Sequence, residues 1–268
     1  MNGMGISGLL SAVALAAISA TPASAADNAS DGGFYVQLRA GVQSVSDPKG
    51  AFFDEAGTFS GGDVELDAVP AGSDSLGVKF RTKSSASFGA DMGYDFGQVR
   101  AELGLTYGRN KVNGLTVRSL NGAAATGLTD EDAQAFCDYL ADGEDATTCT
   151  LKGNTISAGG SFAKLRQLGA MVSLWYDVPT GSPLEPYVGG GVGLVGYHIA
   201  TGDDGEGKVR FGWQIGGGVA YKLSRNVALT ADYRYRQVKG ATFDDEGSGL
   251  VLGKLKTSLI SAGLRFTL

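Results

Sequence analysis

The chain has 268 residues, of which 43 are glycine and 6 are proline, and 43% of the residues are apolar. This apolar content excludes a compositionally disordered chain, and the abundance of glycine suits a turn-rich β protein. The formal net charge of −6 argues against a nucleic-acid partner, and none is expected.

The first thirty residues contain a short run of small apolar residues that ends in Ala23-Ser24-Ala25. This pattern predicts a secretory signal peptide at 1–25 and a mature chain at 26–268. A retained membrane anchor is the weaker interpretation, because the run is short and no stop-transfer charges follow it. No later stretch reaches the roughly 18 consecutive apolar residues of a membrane-spanning helix. Export therefore leads to the periplasm, the outer membrane or the medium.

Eight segments alternate apolar and polar side chains with a period of two, which is typical of strands with two different faces. In the first, FYVQLRAGVQSV at 34–45, Leu38 lies on one face and Arg39 on the other. In ALTADYRYRQV, Leu229 and Tyr233 oppose a charged face. The eight segments lie at 34–45, 85–96, 99–109, about 161–177, 186–200, 205–223, 228–238 and 256–268.

Strand length and loop length both indicate a membrane-spanning sheet. Each segment is near or above the roughly 9–11 residues that a tilted strand needs to cross a bilayer, whereas strands of soluble proteins usually have about 5–6. Compact connections follow the second, fourth and sixth strands. Longer loops are predicted after the others, at about 47–83, 110–160, 200–208 and 239–254.

Aromatic residues lie towards the strand ends, as in the interfacial girdles of outer-membrane barrels. An open sheet edge in hydrocarbon would leave backbone groups without partners. The sequence therefore predicts an all-β fold, an eight-stranded antiparallel up-and-down transmembrane β-barrel. The aromatic residues of the predicted girdles are Phe34, Tyr94, Phe96, Tyr107, Tyr176, Tyr187, Trp213, Tyr221, Tyr235 and Phe266.

The charged residues of the strands are expected to face the interior of this barrel. An eight-stranded barrel is just filled by side chains. We interpret the charges as a structural ion-pair network rather than as a wide pore, a proton relay or a selectivity filter. The predicted network consists of Arg39, Asp91, Arg100, Glu102, Arg210, Asp232, Arg234 and Arg265.

The long loops carry the remaining features. Cys137 and Cys149 are the only cysteines, and an exported pair predicts a disulfide. TDEDAQAFCDYLADGED at 129–145 predicts a short helix in the second long loop, with Thr129 as its cap. The loop at 47–76 is acidic, and GDDGEG at 202–207 lacks the spacing of a calcium-binding loop. No metal and no cofactor are predicted.

The predicted signal peptide, the eight amphipathic strands, PYVGGGVGLVGY (186–197) and the ending SLISAGLRFTL (258–268) resemble the small outer-membrane β-barrel proteins of Gram-negative bacteria. This superfamily includes the OmpA transmembrane domain, the opacity-type porins and surface antigens of alphaproteobacteria. Such families usually end in Phe or Trp, which the barrel assembly machinery reads. Here Leu268 is the last residue, with Phe266 two positions before it on the same face.

These features together predict a monomeric outer-membrane barrel with extracellular loops and both termini in the periplasm. Its expected role is structural and antigenic, with envelope integrity and adhesion as candidate roles. The expected partners are outer-membrane lipid, lipopolysaccharide, the assembly machinery through the last strand, and an extracellular protein. No enzymatic activity is predicted.

Three alternatives remain at this point: a narrow porin, an outer-membrane lipid hydrolase that uses His198, the only histidine, and a soluble periplasmic β protein.

Overall fold

The structure is a computed structural model of the chain, and fifteen strands make up most of the part that it describes. The predicted signal peptide, Cys137, most of the acidic loop at 47–76 and most of the predicted helix lie outside the described residues. The described residues are 32–54, 74–120, 123–134, 149–161, 163–201, 204–245 and 248–268.

The strands of this part of the chain are β1 (Gly33–Ser46), β2 (Lys49–Asp54), β3 (Asp74–Thr82), β4 (Ser85–Asp95), β5 (Val99–Leu120), β6 (Ala123–Ala124), β7 (Cys149–Lys152), β8 (Thr155–Ala158), β9 (Ala163–Asp177), β10 (Leu184–Thr201), β11 (Asp204–Lys222), β12 (Val227–Val238), β13 (Ala241–Asp245), β14 (Ser248–Leu252) and β15 (Leu255–Thr267).

Eight of these strands form a closed ring in which every pairing is antiparallel. The order around the ring is β1, β4, β5, β9, β10, β11, β12 and β15. The last strand returns to the first, with registers that run from Tyr35 opposite Thr267 to Ser46 opposite Lys256. These eight strands are the eight predicted from the sequence, and the predicted barrel is confirmed.

The two ends of the barrel differ in their connections. At one end, which we call the short-turn end, the connections at 96–98, 178–183 and 223–226 are tight, and Gly33 and Leu268 lie at this end. The opposite end, which we call the long-loop end, carries the remaining connections. Gly97 has a φ of 104° in the first tight turn, a conformation that favours glycine.

The long-loop end contains far more strand than the sequence analysis predicts. β5 has 22 residues and continues to Leu120, whereas the sequence predicts a loop from residue 110. Within the loop predicted at 200–208, β10 continues to Thr201 and β11 begins at Asp204, and these two residues lie opposite each other. β2 pairs with β3 and with β14, and β3 pairs with the outer part of β5. The barrel wall therefore extends well past a bilayer's thickness on this side.

The polarity of the two faces of a strand inverts along its length. This inversion explains why the sequence analysis does not predict the strands of the long-loop end. In the middle of β5, Leu103 and Leu105 point outwards and are exposed. Nearer the long-loop end the outward Arg109 and Lys111 are exposed, while Val112 is buried inside. A strand segment with apolar residues inside and charges outside is typical of a sheet whose outer face is exposed to water.

Apolar side chains fill the interior of the long-loop end in two clusters. One cluster lies around β3, the outer part of β5 and β8, and includes Val78, Leu115 and Ile156. The other lies directly over the central part of the barrel. It consists of Val45, Leu165, Met171, Val195, Tyr197, Val238, Ala241, Phe243, Leu252 and Leu255.

The short helix predicted in the second long loop is present at residues 130–134. Its first turn is capped as predicted: the Asp132 amide donates to Thr129 Oγ1 (3.2 Å), and the Thr129 amide and hydroxyl donate to the Asp132 carboxylate. These bonds, that of the Thr129 hydroxyl first, lower the pKa of the Asp132 carboxyl. The described residues contain no helix with the length and apolar character that a transmembrane helix requires.

Closure of the ring can be tested with a pair of cysteines. Val42 on β1 and Ile260 on β15 face outwards and are aligned, and aligned residues have Cβ atoms about 4.5–5.5 Å apart, near disulfide range. We expect the double variant Val42→Cys/Ile260→Cys to form an internal cross-link under mild oxidation, seen as a mobility shift on non-reducing gels. Val42→Cys/Ile215→Cys, on strands that do not pair, is the control. An equal yield for both pairs, or none for the first, would contradict closure.

Candidate functional site

The interior of the barrel is filled by large polar and aromatic side chains. Six of them are less than 2% exposed: Trp175, Arg100, Arg234, Arg236, Tyr35 and Tyr187. Each occupies an inward position of the alternating pattern, and the lipid-facing residues between them are exposed, as is Val172 at 60%. The interior is therefore a packed ionic core, which we call the interior network.

Arg234 is the centre of the interior network. Its guanidinium donates to Glu102 Oε1 (3.0 Å) on β5 and to Asp232 Oδ1 (3.0 Å) on its own strand. Its Nη2 lies 3.7 Å from Asp91 Oδ2 on β4. The guanidinium also lies over the ring of Trp175, 4.7 Å from its centroid, on β9. One side chain thus joins four strands across the full width of the barrel.

Arg39 and Asp91 form a second, two-pronged ion pair. Arg39 Nε and Nη2 donate to the two oxygens of the Asp91 carboxylate at 2.5 and 2.7 Å. A planar guanidinium matches a carboxylate in this geometry. Gly89 gives it space, because a Cβ atom there would lie 2.9 Å from Arg39 Nη2.

A third ion pair closes the short-turn end. Arg100 Nη2 donates to Asp177 Oδ1 (2.9 Å), and the Arg100 guanidinium lies 4.9 Å from the centroid of the Tyr187 ring. The Tyr35 hydroxyl donates to Glu102 Oε2 (3.0 Å) and accepts from Arg100 Nη1 (3.3 Å). Tyr35 therefore links this pair to the charges around Arg234.

Several side chains of the network are absent from the predicted set, although the alternation predicts an inward position for the charged residues of the strands, Arg236 included. Asp177 is the last residue of β9 and follows the same inward period as Trp175, so the alternation contained the signal. Arg236 faces inwards, and its Nη2 donates to Gln214 Oε1 (3.2 Å) and Thr106 Oγ1 (3.4 Å). Arg236 has no carboxylate partner among the described residues. Tyr187, predicted in a girdle, is buried inside the barrel, because the inward period of β10 includes it.

Two predicted members lie at the margin of the network or outside it. Arg265 is buried near Tyr35 and donates to Gln37 Oε1 (3.0 Å) rather than to a carboxylate. Arg210 is half-buried, and its guanidinium donates to the carbonyl oxygens of Gly240 and Val209, both at 3.2 Å. Its prediction as a network member is wrong. Arg210 lies on the inward face of β11 but at the level of the apolar cluster. The alternation of side chains predicts which face a residue occupies, but it does not predict the position of the residue along the barrel axis.

The predicted disulfide involves one described cysteine. Cys149 on β7 is disulfide-bonded, and the only other cysteine of the chain, Cys137, lies outside the described residues. The Cys149 amide donates to the side chain of Gln134, at the end of the described helix (3.4 Å). The strand that begins at Cys149 is therefore held close to this helix.

His198 does not form part of a catalytic arrangement within the described residues. It lies on β10 opposite Arg166 of β9 and Gly207 of β11. Its buried Nδ1 has no hydrogen-bond partner there, whereas a catalytic histidine is oriented by a second group. No group of three or more metal-ligating residues occurs in the described part of the chain.

An apolar cavity of about 80 Å³ lies at the long-loop end. Phe52, Phe80, Leu115, Leu165 and Ile199 are among the side chains that line it. Below it, the inward Val195, Tyr197, Val238 and Leu255 have no measurable exposure. The interior network is therefore covered by packed apolar side chains on the side of the long loops.

An apolar exterior and an ionic interior in a closed eight-stranded ring define the class of small transmembrane β-barrels. The outer-membrane protein β-barrel domain family matches residues 13–266, and the chain belongs to this family. It is a protein of the bacterial outer membrane, and the resemblance inferred from the sequence is confirmed.

The chain is similar to the following known proteins. The chain is 30% identical over 174 residues to a 25 kDa outer-membrane immunogenic protein of Brucella canis, covering 61% of this chain and 75% of that protein. Neisserial surface protein A matches with a TM-score of 0.43 and 20% identity, over 88% of this chain and 97% of that one. OprG of Pseudomonas aeruginosa matches with a TM-score of 0.45 and 15% identity, over the same shares.

The importance of Arg234 can be measured by removing its charge. Arg234→Gln leaves three buried carboxylates without their shared cation, so we expect the free energy of unfolding to fall by about 3–5 kcal/mol. Urea titration of the protein in lipid vesicles measures this change. Arg225→Gln, in an exposed tight turn, is the matched control and should have almost no effect. Equal midpoints for both variants would show that the network contributes nothing to stability.

Proposed function

We propose that the protein is a closed structural barrel that displays its long-loop end at the cell surface. The observation that carries this proposal is the burial of the interior: Arg100, Arg234, Arg236 and Trp175 are almost inaccessible to solvent. Side chains that are packed against one another without access to solvent do not line a continuous water-filled path. The barrel then serves as an anchor. The features that distinguish this chain, namely the additional strands, the short helix and the disulfide-bonded Cys149, lie at its long-loop end.

The proposed orientation places the long-loop end outside and both termini in the periplasm. The strands of the long-loop end have charged outer faces and an apolar interior, which is a structure built for water rather than lipid. The Brucella relative is called immunogenic, and an antigen must present a surface. We propose the same for the long-loop end of this chain, with envelope integrity and adhesion to an extracellular protein as its roles.

The same proposal includes a monomeric barrel that contacts outer-membrane lipid and lipopolysaccharide, and whose last strand is read by the assembly machinery. The exposed outer face is apolar all round the middle of the barrel, for example at Leu38, Leu174 and Ile215. Lipid chains suit such a surface. We propose no catalytic role, since His198 has neither an orienting partner nor a nucleophile bonded to it among the described residues.

Cysteine labelling on intact cells tests the orientation. Lys152 lies at the β7–β8 hairpin of the long-loop end, and Arg225 lies in a tight turn of the short-turn end, both exposed. We expect a membrane-impermeant maleimide to label Lys152→Cys on intact cells, and Arg225→Cys only after the outer membrane is broken. The reverse pattern would place the long-loop end in the periplasm and overturn the proposal.

Conductance separates the closed barrel from the narrow porin, which is the second candidate. The purified protein in planar bilayers should give no steady current steps in 1 M salt, because both the interior network and the apolar cluster block the passage. A reconstituted general porin serves as the positive control. Regular steps from the wild-type protein that vanish when a large residue replaces Gly104, an inward residue beside Asp91, would establish a pore instead.

A further inference from the structure

Four cations lie side by side on the outer surface of the barrel, on β5 and β9. Arg109 is aligned with Arg166, and Lys111 is aligned with Lys164. Arg109, Lys111 and Arg166 are exposed, and Lys164 is half-buried. We call these four residues the basic patch.

Two successive like-charge pairs are an unfavourable arrangement by themselves. Like charges directly opposite each other on neighbouring strands destabilise a sheet. None of the four forms an ion pair with a described residue. The neighbours do not supply a negative charge either: Arg166 faces His198 on β10, and Arg81 lies opposite Gly114 farther along β5. The four cations are therefore available to an anion from outside the described residues.

The position of the basic patch relative to the apolar belt identifies the source of that anion. Along β5, the outward residue two positions before Arg109 is Tyr107, and along β9 the outward residue two positions after Arg166 is Leu168. Both are exposed side chains of the lipid-facing belt. The patch thus lies where the apolar belt ends, at the level of the lipid headgroups, where Lys and Arg extend their charged ends.

We propose that the basic patch binds the phosphate groups of a phosphorylated outer-leaflet glycolipid of the lipid A type. The proposal rests on the orientation proposed above, which places the long-loop end in the outer leaflet. Aligned side chains begin about 5 Å apart and alternate positions of one strand about 7 Å apart, so the four cations surround an area the size of one or two phosphates. The arginines bind phosphate through two parallel hydrogen bonds, and the lysines add point charges.

Binding of diphosphorylated lipid A to the full mature protein in detergent micelles tests this proposal. The probe is titrated, and bound lipid is measured by native mass spectrometry. We expect Arg109→Gln/Lys164→Gln, which removes one cation from each aligned pair, to weaken binding by about tenfold or more. Arg109→Lys/Lys164→Arg, which keeps all four charges, should bind as the wild type does.

A matched control removes the same charges elsewhere. Arg225→Gln/Lys152→Gln also loses one arginine and one lysine, both exposed and outside the basic patch, and should leave binding unchanged. Heat-modifiable mobility on gels confirms that every variant is folded. Inorganic phosphate and a phosphate-free form of the same lipid separate the contribution of the phosphate from that of the acyl chains, and neither should match diphosphorylated lipid A.

Two outcomes would overturn the proposal: equal affinity for the patch variant and the wild type, or equal affinity for phosphorylated and phosphate-free lipid. Inorganic phosphate binding as tightly as the lipid would show a free-anion site instead and would also overturn it. Failure of the proposed orientation has a different signature. Cysteine labelling on cells would then be reversed, while lipid A binding in micelles would remain sensitive to Arg109→Gln/Lys164→Gln.

Discussion

The whole structure depends on the inability of hydrocarbon to solvate an ion or to hydrogen-bond a peptide group. Backbone groups must then be paired all round, which requires the ring that β15 closes on β1. Charged side chains must point inwards, as Asp232 and Arg234 do while Tyr233 between them points to lipid. Where the barrel leaves the bilayer, water replaces hydrocarbon around it. The same strands then carry their charged side chains on the outer face and their apolar side chains on the inner face. Arg109 then lies outside and Val112 inside.

Placing ions inside a narrow barrel has its own cost, and the interior network reduces it. A buried charge is tolerated when it is paired and hydrogen-bonded. Arg234 meets carboxylates from three strands and an aromatic ring from a fourth. Such an arrangement fixes the relative positions of strands that are distant in sequence. It also fills the interior of the barrel, which is the observation behind the proposal of a closed barrel.

The period of two predicted the eight strands, the lipid-facing residues and most of the interior network, because each property depends only on the face of a residue. Properties that depend on height along the barrel were not predicted. Arg210 has the inward period but lies at the level of apolar side chains. Tyr187 differs in face rather than in height, because it is predicted in a girdle although its position on β10 is inward. Residues 110–120 are predicted as a loop but form the outer part of β5, because their pattern is that of a sheet in water. The individual partners of Arg236 and Asp177 required the three-dimensional register.

Spin labels on the outer face of β9 give the most direct test of where this face contacts lipid and where it contacts water. Nitroxides attached at residues 164, 166, 168, 172 and 174, one at a time, are compared for collision with oxygen, which concentrates in hydrocarbon, and with a water-soluble nickel complex. We expect oxygen to dominate at 168, 172 and 174 and the nickel complex to dominate at 164 and 166. If the nickel complex reached positions 172 and 174, or if neither reagent did, the apolar face of this strand would not lie against lipid.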